Sequence, residues 1–400
     1  MSATKLQSKK SFRPAERIER VSEYYFSKKL REIAQLNAEG QDIISLGIGG
    51  PDRPPHESVV ERLCDESRVS SNHSYQSYVG IPQMREAMAK WYGERYGVEL
   101  DPTKEILPLI GSKEGIMHIS MAFLNVGDGV LVPNPGYPTY SAVSRLVQAE
   151  VYTYELDPER GWMPDFEALE RMPLDKIKLM WVNYPNMPTG TNATREVNEK
   201  LVDFARRHSI VVVCDNPYSM ILNPNPMSIL EVEGARECCI ELNSLSKSLN
   251  MAGWRIGMLS TNATFVEWIL RVKSNIDSGM FKPLQLAAVE ALSLGDEWYR
   301  ELNEIYAQRR VVASKIMKRI DCRYDESQVG LFLWGRIPDD ERSAEALCDR
   351  LLVEARVFIT PGFIFGSQGE RYVRLSLCTE IDRMEEALAR IEACPFWGDK

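Results

Sequence analysis

The chain has 400 residues, with 48 Lys and Arg against 57 Asp and Glu, so its formal net charge is −9 at pH 7. This acidic balance disfavours a surface for the phosphate backbone of nucleic acids, and no segment has the roughly 18 consecutive apolar residues that a membrane helix needs. We therefore expect neither nucleic acid nor a membrane as a partner. An apolar fraction of 44% is typical of a globular protein with a large core.

The N-terminal segment and the cysteines indicate a reducing compartment. Residues 1–20 mix acidic with basic side chains and lack the apolar stretch of a secretory signal. The eight cysteines form no C-x-x-C pair, and their spacing suggests neither a disulfide framework nor a zinc site. We expect a cytoplasmic protein without a bound metal.

Residues 1–46 are predicted to form an N-terminal arm and a helix. Apolar residues recur at a loose helical spacing from Ile18 to about Asn37, and Gly40 marks the end of this pattern. We expect this segment to join the smaller, C-terminal part of the fold.

Residues 47–290 alternate short apolar runs with helical stretches. Continuous apolar runs that alternate with helices are typical of a mostly parallel sheet covered on both faces. This part is therefore predicted to be a large, three-layer α/β domain. The predicted strands are ILPLI at 106–110, VLVP at 130–133, VYTY at 151–154, IKLMWVN at 177–183, IVVVCD at 210–215, CCIEL at 238–242 and IGMLS at 256–260.

Residues 291–400 follow a different pattern and are predicted to form a smaller α+β domain. The long charged stretch at 297–320 predicts a helix, and the alternating runs LFLWGR at 331–336 and YVRLSL at 372–377 predict strands. Because no low-complexity linker separates the two parts, we expect them to pack together. Clefts between domains are favoured ligand positions.

The stretch NSLSKSLNMAGWRIGM at 243–258 has the most informative side chains. Lys247 lies among small polar residues after an apolar strand, and Arg255 comes eight positions later in Gly-Trp-Arg-Ile-Gly. A lysine at the mouth of an α/β sheet is able to hold a phosphate, to form a Schiff base or simply to be solvated. This stretch alone leaves these three interpretations open.

Asp215 ends the predicted strand IVVVCD, and Tyr218 follows three residues later. Open α/β sheets bind ligands at the carboxyl ends of their strands, so this carboxylate is predicted to point into the site. A cofactor with a protonated heterocyclic nitrogen needs such a fixed anion. For a lone aspartate, a helix N-cap is the structural alternative.

Ser112, Lys113 and Glu114 come directly after the predicted strand ILPLI and begin the helical stretch KEGIMHISMAFL. The backbone N–H groups at a helix N-terminus form a ready anion site. The segment therefore predicts a phosphate site, with an ordinary capped helix start as the alternative.

Taken together, the motifs resemble those of the class I and II aminotransferases, which are fold type I pyridoxal-phosphate enzymes. The resemblance extends from about Leu46 to Arg374. It implies a homodimer that binds pyridoxal 5'-phosphate and moves an amino group from an L-amino acid to a 2-oxo acid in two half-reactions with ping-pong kinetics. The matching motifs are SLGIGGPD around Gly49, SYQSYVGIP with Tyr75, GSKEG at 111–115, NPGYP with Tyr137, PNMPTG at 185–190, Asp215 with Tyr218, SLSK at 244–247, GWRIG with Arg255 and YVRLSL with Arg374.

By this resemblance, Lys247, Asp215 and Tyr218 are the catalytic residues. Lys247 would form the Schiff base and carry a proton at the substrate's α-carbon, Asp215 would keep the pyridine nitrogen protonated, and Tyr218 would hydrogen-bond the ring oxygen. The family pattern implies further cofactor contacts from Ser112, Lys113, Glu114, Tyr137, Asn186, Ser244 and Arg255.

The family pattern also implies contacts to the substrate and to a second subunit. Arg374 would grip the substrate's α-carboxylate with a bidentate fork, and Ile48 and Gly49 would also contact the substrate. Tyr75 would reach the cofactor phosphate of a neighbouring subunit. If so, a complete site exists only in the dimer.

Two features depart from the family pattern. The family commonly has Asn directly before Pro-Thr-Gly, where it contacts the ring oxygen and the substrate carboxylate, whereas this chain has Met187. We expect this hydrogen bond either to be missing or to be supplied elsewhere, with Asn186 as the candidate donor. The segments GSKEGI, NMAGWRIGM and KSNIDSGMF are similar to the LL-diaminopimelate aminotransferase group, yet the segment after Tyr75 lacks the acidic residue that those enzymes place there.

Two other functions fit the same residues. A lyase of this fold that cleaves C–S bonds by β-elimination would use the same lysine and aspartate. A regulatory protein would keep the cofactor and act through a partner without turnover.

Overall fold

The computed structural model describes residues 12–21, 23 and 25–395, so residues 1–11 of the predicted arm and 396–400 of the predicted small domain lie outside the described residues. The strands are β1 Ile44–Ser45, β2 Ile106–Leu109, β3 Gly129–Asn134, β4 Glu150–Glu155, β5 Ile177–Asn183, β6 Val211–Asp215, β7 Cys239–Ser244, β8 Gly257–Ser260, β9 Arg323–Tyr324, β10 Phe332–Arg336, β11 Val357–Phe358, β12 Thr360–Pro361 and β13 Tyr372–Ser376. Among the described residues, no helix is both long and apolar enough to cross a membrane.

The helices surround these strands. They are α1 Glu16–Glu19, α2 Tyr25–Ala38, α3 Glu57–Ser67, α4 Pro82–Tyr96, α5 Ser112–Phe123, α6 Pro138–Leu146, α7 Phe166–Leu169, α8 Arg195–His208, α9 Ala235–Cys238, α10 Ala263–Lys273, α11 Lys282–Leu292, α12 Asp296–Arg319, α13 Ala344–Arg350 and α14 Ile381–Glu392. Short 3₁₀ helices span Ser70–His73, Pro158–Arg160, Ile229–Glu231, Ala252–Trp254, Gly362–Phe365 and Ser367–Gly369, and a π-helical turn spans Leu351–Ala355.

A seven-stranded sheet in the order β2-β8-β7-β6-β5-β3-β4 forms the centre of the large part of the fold. Every neighbouring pair from β7 to β4 is parallel, and β8 runs antiparallel to both β7 and β2. The predicted mostly parallel sheet is therefore confirmed. Its seven predicted strands are all present, with ends that differ by two residues at most.

Both faces of this sheet are covered. In β5, Leu179 and Trp181 pack into one core cluster, and Met180 and Val182 pack into the other. Helices α5, α6 and α10 contribute to the first cluster, and α4, α8 and α11 contribute to the second. A strand that buries both faces needs apolar side chains on both, which explains the run IKLMWVN, where only Lys178 is exposed. The three-layer α/β architecture follows.

A four-stranded antiparallel sheet in the order β12-β13-β10-β9 forms the smaller α+β part. The N-terminal segment joins this part, because β1 pairs with β11 and Ile33 of α2 packs with Leu352 and Phe358. These contacts support the prediction that residues 1–46 join the small part, and the boundaries at 46 and 290 remain predictions.

The predicted N-terminal helix is not continuous. The structure has α1 and α2 as separate helices, and Ile18 in α1 is 53% exposed. Helix α1 has no buried residue, so tertiary packing stabilises it less than it stabilises α2, which buries Phe26 and Ile33. The prediction of one helix from Ile18 to about Asn37 was therefore wrong over its first part.

Candidate active site

A cavity of about 370 Å³ lies at the carboxyl ends of the parallel strands, where the two parts of the fold meet. Three adjacent strands end in residues that line it: Asn183 ends β5, Asp215 ends β6 and Ser244 ends β7. Small-domain residues Phe332 and Arg374 line its other side. The rest of the described lining is Phe26, Leu30, Ile48, Gly49, Gly50, Ser112, Lys113, Tyr137, Tyr140, Met187, Pro217, Tyr218, Ser246, Lys247, Ala252 and Arg255.

Asp215 is a buried acid with one unused oxygen. The Tyr140 hydroxyl donates to its Oδ2 at 2.8 Å, whereas the buried Oδ1 has no hydrogen-bond partner in the part of the chain that the structure describes. Burial raises the pKa of this carboxyl to about 6, opposed by the hydroxyl of Tyr140 and the charge of Lys247. Since a buried acceptor needs a donor, the site suits a ligand with an N–H group at this position.

Lys247 lies across the cavity from this acid. Its Nζ donates to the carbonyl oxygen of Gly49 at 2.7 Å and lies 5.9 Å from the centre of the Tyr218 ring. Burial lowers the pKa of the lysine, and the positive charges of Arg374 and Arg255 act in the same direction. A lowered pKa makes more of the amine neutral, as a nucleophile or a general base requires.

The first turn of α5 forms an anion site with Arg255. Ser112 and Lys113 line the cavity at this helix start, and burial and the charge of Arg255 both lower the pKa of Lys113. Two glycines allow the backbone of this helix start to lie close to Arg255 and to the strand β8. A Cβ on Gly111, whose φ is +79°, would lie 2.3 Å from the guanidinium of Arg255, and one on Gly257 would lie 2.6 Å from the backbone N of Ser112. Together, the helix N-terminus and the guanidinium suit a phosphate.

Arg374 forms the opposite, small-domain end of the cavity. This residue of β13 is only 4% exposed, and its Nη2 donates to the carbonyl oxygen of Gly47 at 2.8 Å. Its Nη1 lies 3.1 Å from the Sδ of Met187, and the guanidinium carbon is 4.0 Å from the centre of the Phe332 ring. These contacts fix the orientation of a cation that is able to bind a carboxylate.

Most of the predicted site residues line this one cavity. They are Ile48, Gly49, Ser112, Lys113, Tyr137, Asp215, Tyr218, Ser244, Lys247, Arg255 and Arg374. The ring of Tyr137 packs edge to face against Tyr140, at 5.5 Å between centres. Residues separated by more than 300 positions in the chain therefore meet at one place.

Three predicted site residues do not line the cavity. Tyr75 is 90% exposed on the surface. The Oδ1 of Asn186 accepts from the backbone N and the Oγ1 of Thr189, so it belongs to the turn of Pro-Thr-Gly. The Oε2 of Glu114 accepts from the backbone N of Ile110 at 2.6 Å, which makes it part of the helix start.

Glu114 also belongs to a separate polar group. Its carboxylate, His118 and Asp277 bring possible metal ligand atoms within 4.8 Å of one another. Glu114 and His118 are one helical turn apart on α5, whereas sequence spacing does not reveal the approach of Asp277. The ammonium of Lys273 pairs with Asp277 there. A cation of the protein itself therefore already balances part of the charge.

Asn183, rather than Asn186, is the amide at the cavity. Its Nδ2 donates to the backbone oxygen of Asp215, and its Oδ1 accepts from the backbone N of Met187 at 2.7 Å. The expectation that Asn186 replaces the missing side chain at position 187 therefore does not fit this geometry. In register, Asn183 pairs with Asp215, so the strand-end rule that identified the aspartate also points to this asparagine.

Other lining residues were also missed from the sequence. Tyr140 lies one helical turn after Tyr137, and this spacing was a usable signal. Phe26, Leu30 and Phe332 gave no such signal, because each is distant in the chain from the motifs that form the rest of the lining.

Comparison with known proteins identifies the family of the chain. A family model described as aminotransferase class I and II matches residues 41–391. An LL-diaminopimelate aminotransferase of Nitratidesulfovibrio vulgaris is 41% identical over 95% of this chain and 98% of its own length. One from Oleidesulfovibrio alaskensis is 43% identical, with the same coverage. The structure of apo-BacF from Bacillus subtilis superposes with a TM-score of 0.91 at 34% identity, covering 96% of this chain and 98% of that one.

Proposed function

The chain belongs to the aminotransferase class I and II family, and on this basis we propose that the cavity between Asp215, Lys247 and Arg374 is where it transfers the amino group. It is a pyridoxal-phosphate-dependent aminotransferase that moves an amino group from an amino acid to a 2-oxo acid. The proposal names the residues that carry out this transfer. It also states that the two half-reactions use the same site, one after the other, in ping-pong order.

The residues of the cavity fit the cofactor. When bound, pyridoxal 5'-phosphate supplies an aldehyde for covalent attachment and a protonated ring that accepts the electron pair released at the substrate's α-carbon. The unused Oδ1 of Asp215 is the acceptor that a ring N–H needs, and this observation carries the proposal. Ser112, Ser244 and Arg255 would hold the phosphate, and Lys113 adds positive charge there.

Lys247 is proposed as the attachment residue, through a Schiff base, and as the group that moves the proton. The carbonyl oxygen of Gly49 holds its Nζ inside the cavity, and burial lowers its pKa. A released amine in this position would act as the general base at the α-carbon. Tyr218, whose ring centre lies 5.9 Å from the Nζ of Lys247, would hydrogen-bond the ring oxygen of the cofactor.

Arg374 is proposed to hold the substrate's α-carboxylate. The guanidinium is already oriented by Gly47 and stacked on Phe332, so little ordering remains when the substrate binds. Ile48 and Gly49 lie beside it in the cavity lining. Fixing the carboxylate would orient the α-hydrogen toward Lys247.

Chemical trapping tests this assignment. The protein loaded with pyridoxal phosphate would be reduced with borohydride, digested and mapped, and we expect the label on Lys247. Lys113 is the internal control, because it lines the same cavity and also has a lowered pKa. A label on Lys113 would contradict the proposal. In parallel, release of ammonia and pyruvate when no 2-oxo acid acceptor has been added would indicate the lyase. The absence of any conversion would indicate the regulator.

A homodimer with shared sites is part of the proposal. Tyr75 does not line the cavity of its own chain and is 90% exposed. A Cβ on Gly279 would lie 2.4 Å from the backbone oxygen of Gln76, so the loops around residues 76 and 279 are in contact. Four exposed apolar side chains lie in or beside these two loops, namely Tyr75, Tyr78, Ile276 and Phe281. Exposed apolar side chains of this kind are typical of an interaction surface.

Mixing two defective variants tests the shared site. Tyr75→Phe removes one hydrogen bond to a charged oxygen, worth about 1.5–3 kcal/mol, so cofactor binding should weaken by about 10- to 150-fold. Subunits with Tyr75→Phe and subunits with Lys247→Ala would be mixed in equal amounts, dissociated and reassembled. At limiting cofactor we expect about one quarter of the parent activity, because half of the dimers then contain one intact site of two.

The control for this experiment is each variant reassembled with itself. If Tyr75 served its own chain, the mixture would be no more active than the average of the two controls. That outcome would reject the shared site.

A cytoplasmic location is also proposed. All eight cysteines are free thiols, and seven of them are buried. Free thiols are typical of proteins in reducing compartments.

A further inference from the structure

The proposed function assigns every charged side chain in the described lining of the cavity. Lys113 and Arg255 lie at the phosphate end, Asp215 and Lys247 lie at the ring and the reacting carbon, and Arg374 lies at the α-carboxylate. No charged group of the described lining is left for the far end of a substrate's side chain. A charge that loses its water on binding and gains no partner in return is strongly disfavoured.

Apolar side chains surround the arginine that would hold the substrate. The guanidinium carbon of Arg374 is 4.0 Å from the centre of the Phe332 ring and 5.3 Å from that of Phe26. The Sδ of Met187 lies 3.1 Å from its Nη1. A Cβ on Gly49 would lie 2.3 Å from Phe332, so this glycine lets the ring lie directly over the backbone of the cavity wall. Phe26, Leu30, Ile48, Met187 and Phe332 together form an apolar wall, all within the cavity lining.

We infer that this enzyme's substrate has an uncharged, apolar side chain, such as that of phenylalanine, leucine or methionine, an inference that rests on the proposed function. The relatives named LL-diaminopimelate aminotransferases act, by that name, on an amino acid whose far end carries both an ammonium and a carboxylate. The apolar wall offers neither group a partner. Met187 adds to the wall, since its thioether stands where the family commonly has a polar amide.

Binding of unreactive acids tests the inference without turnover. The cofactor-loaded protein would be titrated in a calorimeter with 3-phenylpropanoate and with pimelate, which lack the α-amino group and cannot react. Arg374 can grip one carboxylate of either acid, so the difference reports the far end. We expect 3-phenylpropanoate to bind about 10-fold more tightly, or better. Pimelate binding as tightly, or more tightly, would overturn the inference.

A variant of the wall provides a second measurement. Leu30 lies on α2 at the cavity and is 46% exposed, so replacing it should not disturb folding. Leu30→Arg adds a cation to the wall, and we expect it to shift the preference toward pimelate by about 10-fold. Gln35→Arg is the matched control, because it adds the same charge to an exposed position of the same helix that does not line the cavity. Equal shifts in both variants would reject the wall as the determinant.

Amino acids separate this inference from the proposed function. If phenylalanine, leucine and methionine convert the bound cofactor to its amine form faster than LL-diaminopimelate does, the result supports both the inference and the proposed function. If LL-diaminopimelate is faster, the inference fails and the proposed function stands. If no amino acid converts the cofactor, the proposed function itself fails.

Discussion

Lys247→Ala should lower the rate of amino-group transfer by at least about 10⁴-fold. The variant loses a general base, worth about 10²–10⁴-fold, and with it the covalent attachment of the cofactor. No other amine in the described lining is in the same position, since Lys113 lies at the helix start of the phosphate site. Single-turnover absorbance measurements with a good amino donor would give the rate.

The controls show whether the loss is chemical. The phosphate site does not include Lys247, so we expect the variant to retain bound cofactor. Lys200→Ala is the matched control, because Lys200 is an exposed lysine of α8 that pairs with Glu196 far from the cavity lining. Full activity in Lys247→Ala, or an equal loss in Lys200→Ala, would contradict the role given to Lys247.

Asp215→Asn should lower the same rate by about 10²–10³-fold. The amide keeps the shape of the side chain and still accepts from the hydroxyl of Tyr140, which donates to Oδ2 at 2.8 Å. It lacks the negative charge that would hold a ring nitrogen in its protonated form. Asp203→Asn, at an exposed residue paired with Arg207, should leave the rate unchanged. Parent activity in Asp215→Asn would reject the proposed ion pair with the ring.

The same variant should be more stable than the parent when both lack cofactor. Burial raises the pKa of Asp215 from 3.8 to about 6, so the folded state holds its proton more tightly than the unfolded state. That contribution to stability is complete below pH 3.8 and is lost as the pH rises through 6. Above pH 6 the buried charge then costs about 3 kcal/mol, which the amide avoids.

Urea unfolding of the two cofactor-free proteins would measure this difference. We expect the advantage of Asp215→Asn to be larger at pH 8 than at pH 5. A difference that does not grow with pH would show that this carboxyl does not titrate as a buried acid. A stable but inactive variant would also exclude misfolding as the cause of the lost activity.

The sequence predicted the large sheet well because its strands bury both faces. The run IKLMWVN coincides with β5, since every position from 177 to 183 except the exposed Lys178 is buried and is either apolar or ends the strand. The N-terminal helix was predicted less well, because helical spacing does not reveal whether the apolar side is packed. Ile18 remains 53% exposed, and the helix is interrupted.

For the candidate site, the sequence by itself determined the residues that follow strand ends and helix starts. Asp215, Lys113 and Lys247 were placed near one another in this way, because local rules put the ends of parallel strands at one edge of the sheet, and the resemblance to the family added their roles.

Only the tertiary structure decided which distant side chains meet there. It brought Phe26 and Phe332 to Arg374, across the boundary between the N-terminal helix and the small part of the fold. Such contacts depend on how these elements pack on one another. Spacing along the chain carries no record of that packing, because the residues involved lie in elements hundreds of positions apart.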